Sequence, residues 1–259
     1  MITSASNQQM KHVIQLNKKA KTRYEQRVFV VEGIKMCMEA PKESIQAMYV
    51  SETFLNVPEH VQKLKNYSYE VVADNVFKTI SDTQTPQGIL ALVKMPEYTL
   101  EDLLGKDGRS PHLLILESIQ DPGNLGTMIR TGEGAGVTGI LMNKTTVDIF
   151  HPKTIRSTMG SLYRVPFYVT DSLEETLQEL KERDISLYAA HLKGTMSYDK
   201  PDYTKPCGFL IGNEGNGLSE TIAECADEYI RIPMEGKVES LNAAIAATLL
   251  MYEVNRQRR

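Results

Sequence analysis

Five polar side chains stand where apolar runs give way to a helix or a glycine turn. They are Asn124 and Arg130 in Asn124-Leu125-Gly126-Thr127-Met128-Ile129-Arg130, Glu214 in Gly212-Asn213-Glu214-Gly215-Asn216-Gly217, and Ser240 and Asn242 in Ser240-Leu241-Asn242. Their chemistry is charge stabilisation and positioning, because a guanidinium holds its proton and a carboxamide only donates and accepts hydrogen bonds. No Ser/His/Asp series with suitable spacing is present, which argues against a hydrolase. His12, His60, His112, His151 and His191 never fall at metal-ligand spacing, and Cys37, Cys207 and Cys225 form no CxxC, so no metal is expected. Each polar group also has a plain structural role open to it. Asn124 and Ser240 could be helix caps, Arg130 could pair with Glu133 or Glu117, and Glu214 could cap the helix starting near Leu218. Asn242, just inside a buried helix, needs partners for its amide: a substrate or a neighbouring loop.

The glycines narrow the ligand. Gly132-Glu133-Gly134-Ala135-Gly136 closes a helix, whereas a dinucleotide fingerprint lies between the first strand and its helix. Gly212 to Gly217 is followed by Leu218-Ser219 and lacks the lysine of a phosphate-cradling loop. Its glycines instead let backbone approach a flat, uncharged group such as an adenine ring.

These residues must be held by elements. Apolar runs at His112–Ser118, Gly139–Met142, Val165–Val169, Ile185–Ala190, Gly208–Gly212 and Tyr229–Ile232 read as strands, with helices near 124–135, 153–161, 172–183 and 218–226 between them. Strand–helix alternation at this spacing predicts α/β architecture with parallel strands. A final helix, Leu241 to Asn255, is apolar on nearly every face and is expected to be buried on more than one side. Before it lies a smaller α/β part with strands at Val28–Gly33, Ala47–Val50, Tyr69–Val72 and Gly88–Val93 and helices through Met38, at Pro58–Lys65 and at Val76–Ser81. Gly105, Asp107-Gly108 and Pro111 mark a linker, so the expected division is 1–98, a linker at 99–111, and 112–259.

The 259 residues carry a net charge of −4, with 41% hydrophobic and 24% charged residues, an ordinary globular balance. No apolar run nears the ~20 residues needed to span a bilayer, the N-terminus has no signal-peptide pattern, and three cysteines suggest no disulfide framework, so the cytoplasm is the expected compartment. Charge is uneven: residues 1–98 hold 12 Lys/Arg against 10 Asp/Glu, and residues 99–259 hold 17 against 23. Lys11, Lys18, Lys19, Lys21, Arg23 and Arg27 face only Glu25 within residues 1–27, a plausible phosphate-contacting arm or a solubilising helix.

Taken in order, the three blocks resemble the SpoU-type RNA ribose 2′-O-methyltransferases of the SPOUT class. The likeness covers the second half, including Thr154-Ile155-Arg156-Ser157-Thr158-Met159-Gly160-Ser161, where Thr158 replaces the serine of many relatives. Val30-Val31-Glu32-Gly33 and Thr85-Pro86-Gln87-Gly88 resemble the L30-like substrate-binding domain that precedes it in this family. The resemblance implies a SPOUT domain with a deep trefoil knot, a homodimer through that domain, and S-adenosylmethionine as cofactor. Carried over by motif, the cofactor pocket is His191, Leu192, Leu210, Ile211, Gly212, Ile232 and Leu241, and the catalytic set is Arg130, Asn124, Glu214, Ser240 and Asn242. RNA is the implied partner, contacted by Lys18, Lys19, Lys21, Arg23 and Arg27, with ribosomal RNA expected ahead of transfer RNA. Relatives are proposed to use the arginine as base; a cation stabilising the developing alkoxide is physically easier, since guanidinium stays protonated. Two other readings compete: an RNA-binding protein of the same fold without catalysis, which the complete polar set argues against, and a dinucleotide oxidoreductase, which the misplaced glycine run argues against.

Overall fold

The computed structural model describes Met1–Lys106 and Gly108–Arg259. Asp107, part of the expected linker, lies outside the described residues. The chain forms two compact units: Met1–Glu97 with Asp148–Tyr163, and Tyr98–Val147 with Arg164–Arg259. The stretch 148–163, expected in the second half, therefore packs within the first unit.

In the first unit, β1 (Val28–Glu32), β2 (Ile45–Ser51), β3 (Glu70–Val72) and β4 (Ile89–Lys94) form a sheet in the order β1-β4-β2-β3. Val28-Phe29-Val30-Val31 is a β-branched and aromatic run suited to a strand buried on both faces. Val28 and Val30 join the cluster made by Met10, Val13 and Leu16 of the helix Gln8–Lys18 and Val76, Phe77 and Ile80 of the helix Asp74–Ile80. Phe29, with opposite parity, packs its ring 4.7 Å from that of Phe150 in the 148–163 segment.

The basic N-terminal stretch is helical, Gln8–Lys18 and Ala20–Gln26. One of its expected RNA contacts is corrected: Arg23 is only 3% exposed. Its Nη2 and Nε donate to Asp148 Oδ2 at 2.5 and 3.2 Å, and its Nη1 donates to the Leu16 carbonyl at 2.6 Å. Asp148 also accepts from Tyr24 Oη at 2.8 Å and from the Phe150 N–H at 2.9 Å. A guanidinium can be buried when its donors meet a carboxylate and carbonyls, and here it anchors the 148–163 segment. Lys18, Lys19 and Lys21 remain exposed, while Arg27 pairs with Glu97 at 2.8 Å.

In the second unit β5 (His112–Leu116), β6 (Gly139–Asn143), β7 (Phe167–Thr170), β8 (Ser186–Ala190), β9 (Met196–Ser197), β10 (Cys207–Ile211) and β11 (Glu228–Arg231) form one sheet in the order β7-β6-β5-β10-β8-β11-β9. Every pairing in it is parallel. β5 and β10 are buried along their whole length, as continuous apolar strands covered on both faces must be. The linker expectation is corrected at its start. Leu100–Leu103 is a helical turn closed by a Thr99/Asp102 capping box, and Leu100 and Leu103 belong to the core. A Cβ on Gly139 would meet Leu103 at 2.3 Å, so glycine makes room for this turn.

From β5 the chain proceeds outward to β6 and β7; later it returns and inserts β10 between β5 and β8. The central strands β5 and β10 thus continue to opposite sides of the sheet. Crevices outside the carboxyl ends of parallel strands open at such switch points. The last helix, Ala243–Gln257, buries Ala244, Ala247, Leu250, Met251 and Val254, but leaves Ile245, Leu249 and Tyr252 exposed.

Asp148→Ala should strand the Arg23 guanidinium without its counter-charge and lower stability by about 3–5 kcal/mol. Urea unfolding checks this; a loss below about 1 kcal/mol, the scale of a surface pair, would contradict the buried-anchor role.

Candidate functional site

At the carboxyl ends of β8, β10 and β11 lies a crevice of about 270 Å³. Three loops line it, and they come from 190–192, 211–218 and 230–243. Its walls are largely apolar, with Leu192, Ile211, Leu218, Ile232 and Leu241 among them. A tight loop forms one side. Asn213 and Gly217 exchange backbone hydrogen bonds of 3.0 and 2.9 Å, and Asn213 Oδ1 accepts from the N–H groups of Gly215 and Asn216. A Cβ on Gly212 would lie 2.1 Å from the backbone of Gly217, and Gly217 itself has φ +71°, so both glycines are required by the turn.

Glu214 points from this loop to the start of the helix Pro122–Ala135. Its Oε1 accepts from the Asp121 N–H and from Asn124 Nδ2, each at 3.0 Å, and its Oε2 accepts from the Gln120 N–H at 3.0 Å. Partial burial pushes its carboxyl upward, but the bonds from Asn124, Gln120 and Asp121 outweigh that and hold it below the ordinary carboxylate range. A carboxylate at a helix N-terminus is favoured by the helix dipole as well. The cap of this helix is Asp121, whose side chain accepts from the Asn124 N–H at 2.8 Å. Asn124 is thereby released from capping, and its Oδ1 accepts from Asn242 Nδ2 at 3.1 Å.

Asn242, not Ser240, caps the final helix. Its Oδ1 accepts from the N–H groups of Ala244 and Ile245 at 2.9 and 3.3 Å. Ser240 lies two residues earlier, exposed, on the crevice wall. Asn242, Asn124 and Glu214 therefore form one hydrogen-bonded chain linking the three sequence blocks. Arg130 is not joined to them: it is exposed, forms no hydrogen bond or ion pair among the described residues, and is absent from the lining of its own crevice. Neither suggested ion-pair partner engages it, since Glu133 pairs with Arg164 and Glu117 accepts from the Ser219 N–H and hydroxyl at 2.8 and 2.6 Å.

Of the seven expected pocket residues, His191, Leu192, Ile211, Gly212, Ile232 and Leu241 line the crevice. Leu210 does not: it is 0% exposed and sits in the core cluster, because alternate residues of β10 turn to opposite faces. His191 Nδ1 accepts from the Lys193 N–H at 3.1 Å, and its ring lies 5.0 Å from that of Tyr229. Burial, then the Lys193 charge, lowers its pKa, leaving the imidazole neutral at pH 7. Sequence reasoning missed Asn216, Arg231, Met234 and Glu239 on the lining. Asn216 stood inside the glycine segment and Arg231 inside the strand run Tyr229–Ile232; nothing in residue type or spacing marked Met234 and Glu239.

An apolar slot bordered by backbone amides and entered over glycines suits an adenosyl group. No group of His, Cys, Asp or Glu among the described residues could hold a metal ion. No helix among the described residues is long and apolar enough to cross a membrane.

Fold and crevice together fit an α/β protein that binds an adenosyl group, and comparison with known proteins identifies the family. Residues 111–252 match the SpoU rRNA Methylase family and residues 7–91 match an MRM3-like substrate binding domain. The chain belongs to the SpoU family, and so is an RNA 2′-O-ribose methyltransferase that uses S-adenosylmethionine. It is 31% identical over 255 residues to the 23S rRNA (guanosine(2553)-2′-O)-methyltransferase RlmP of Bacillus subtilis (strain 168), covering 98% of each chain. An AdoMet-bound rRNA methyltransferase from Sinorhizobium meliloti superposes with TM-score 0.85 at 31% identity, over 98% of this chain and 97% of that one. The SpoU methyltransferase AviRb from Streptomyces viridochromogenes, in complex with AdoMet, superposes with TM-score 0.86 at 26% identity, over 97% and 98%.

Because the folded Glu214 pKa is depressed, its contribution to stability is full above the ordinary carboxylate range and is lost as pH falls through the folded value. Glu214→Gln should therefore be less stable than wild type at pH 7, and the gap should narrow toward pH 3. Chemical denaturation at both pH values measures it; a gap independent of pH would mean that the carboxylate charge is not what the loop uses.

Proposed function

We propose that this chain methylates a ribose 2′-hydroxyl in structured ribosomal RNA, as a cytoplasmic homodimer. The observation that carries the reading is the hydrogen-bonded chain Asn242–Asn124–Glu214 beside the glycine-bordered crevice. Ribosomal RNA is favoured over transfer RNA because the rRNA-modifying relative is matched along nearly the whole chain, the substrate-binding part included. Dimerisation is supported by the exposed apolar stripe Ile245, Leu249 and Tyr252, spaced along one side of the final helix. A trefoil knot in the second unit is supported by family membership and by the late insertion of β10 between β5 and β8.

Bound S-adenosylmethionine supplies an electrophilic methyl carbon on a sulfonium leaving group. The chain's own residues do the rest. His191, Leu192, Ile211, Gly212, Ile232 and Leu241 hold the adenosyl part and keep water from it. Asn124, Glu214 and Asn242 are positioning residues that fix the loops on which the crevice depends, and Ser240 on the wall offers a hydroxyl to the ribose or its phosphate. Arg130, with no partner among the described residues, is the cation that meets the developing alkoxide, whose proton passes to water or to a phosphate oxygen of the substrate. Its distance from its own crevice is accounted for if it serves the crevice of a second copy. Lys18, Lys19 and Lys21 contribute phosphate contacts; Arg23 is withdrawn from that role by burial, and Arg27 reaches RNA only by exchanging Glu97 for a phosphate.

Incubation with methyl-labelled cofactor and either ribosomal or transfer RNA tests the reading. Label should enter ribosomal RNA at a ribose and make the following linkage resistant to alkali. Label on a base, only in transfer RNA, or nowhere would overturn it. Arg130→Ala should slow transfer roughly 10²–10³-fold while leaving cofactor affinity within about twofold, on the scale of losing one charge-stabilising donor. RNA affinity should fall steeply with salt, and cofactor affinity should not.

A further inference from the structure

The first unit carries an open groove of about 610 Å³, whose lining includes none of the lysines of the N-terminal helices. Its apolar surface comes from Ile34, Met38 and Tyr67, and its polar rim from Lys35, Lys63 and Gln87. One polar group in it has a fixed orientation. Gln87 Oε1 accepts from the Ile34 N–H at 2.8 Å. Only the amide oxygen can accept that proton, so the hydrogen bond assigns which end of the amide is which. The same oxygen lies 3.0 Å from where a Cβ on Gly33 would be, and Gly33 has φ +97°, so glycine there permits the approach. With its oxygen engaged, Gln87 is left with an NH2 that donates to none of the described residues. The groove thus has a prepared neutral donor.

Around that donor two lysines, Lys35 and Lys63, outnumber one carboxylate, Glu39. Lys42 Nζ stands 5.2 Å from the centroid of the Tyr67 ring, a cation–π contact on the ring beside the groove. Lys63 is exposed and forms no ion pair among the described residues. Lys35 touches Glu39 at 3.8 Å with 53% of its side chain exposed, a surface pair that an incoming phosphate can replace. A base edge, an aromatic face and phosphate oxygens are the three things that an amide donor, a tyrosine ring and ammonium groups recognise together.

We propose that this groove holds an unpaired nucleotide of the substrate RNA. The base edge lies on the Gln87 NH2, the base stacks on the ring surface of Tyr67, and the flanking phosphates lie on Lys35 and Lys63. The inference rests on reading the chain as an enzyme of ribosomal RNA and adds where the first unit grips it. An unpaired nucleotide fits because its base is free of a stack and its edge is open, whereas paired bases in an RNA helix offer neither.

Filter binding of in vitro transcribed 23S ribosomal RNA, with S-adenosylhomocysteine titrated separately by calorimetry, tests the proposal on the full chain. Gln87→Glu keeps an oxygen that accepts from Ile34 but replaces the donor end with a charged carboxylate oxygen, so it is read beside the neutral Gln87→Met, which removes the donor without adding charge. These two and Tyr67→Ala should each weaken RNA binding roughly tenfold, the order of one lost base contact. Lys63→Ala should weaken binding less and make the slope of log affinity against log salt shallower by about one. S-adenosylhomocysteine affinity should stay within twofold in all four. Wild-type RNA affinity in all four variants overturns the groove while leaving the enzyme reading intact. A wild-type chain that neither binds nor methylates 23S RNA overturns both. If polyglutamate binding responds to Tyr67→Ala more than RNA binding does, the groove belongs to an acidic peptide and the proposal fails.

Discussion

The hydrogen bond from Asn242 to Asn124, continued from Asn124 to Glu214, is the constraint on which the second unit's chemistry depends. It joins residues 118 and 90 positions apart in sequence. Each such bond contributes only about 0.5–1.5 kcal/mol net, so the chain is not what holds the sheet together. What it controls is register at one end of that sheet. Asn242 caps the final helix with its oxygen and holds Asn124 with its nitrogen; Glu214 gathers three donors at the start of the helix Pro122–Ala135. The loop after β10, the loop before the final helix and the first turn of the helix after β5 are thereby tied together. Two of those segments are walls of the crevice.

The sheet order explains why the crevice opens there. β10 occupies the slot between β5 and β8, so its carboxyl end emerges among loops formed both earlier and later in the chain. Glycine at 212 brings the following turn so close that no side chain could be inserted. The resulting pocket is apolar and backbone-lined, which is how an uncharged ring system is recognised; the charged and amide groups stand at its edge. That separation suits methyl transfer, where the cofactor carries the reactive carbon and the protein's task is alignment and charge stabilisation.

Much of this was legible in the residues. The six strand runs of the second half appear at their expected places, because fully buried strands such as β5 and β10 read as unbroken apolar stretches and the others are bounded by turn residues. The short β9, Met196–Ser197, was missed since two residues carry no periodicity. Other errors share a cause: a residue type was read without its three-dimensional partner. Arg23 counts as a surface charge until Asp148, 125 positions away, is seen to neutralise it. Ser240 is a routine cap by type, yet the chain turns into the helix two residues later and Asn242 takes the position. The Thr99/Asp102 capping box was readable, and the glycines and charges that follow it masked the turn it begins. The assignment of 148–163 to the first unit had no local signal, since it depends on which core its apolar side, led by Phe150, reaches.

A double-mutant cycle on cofactor affinity tests the central claim most directly. S-adenosylmethionine is titrated calorimetrically into wild type, Asn124→Ala, Asn242→Ala and the double variant. If one shared bond sets the crevice, each single substitution weakens binding and the double variant loses clearly less than the two losses combined. Losses that simply add, or single variants that bind as wild type does, would show that the two asparagines act independently and that the crevice does not depend on their link.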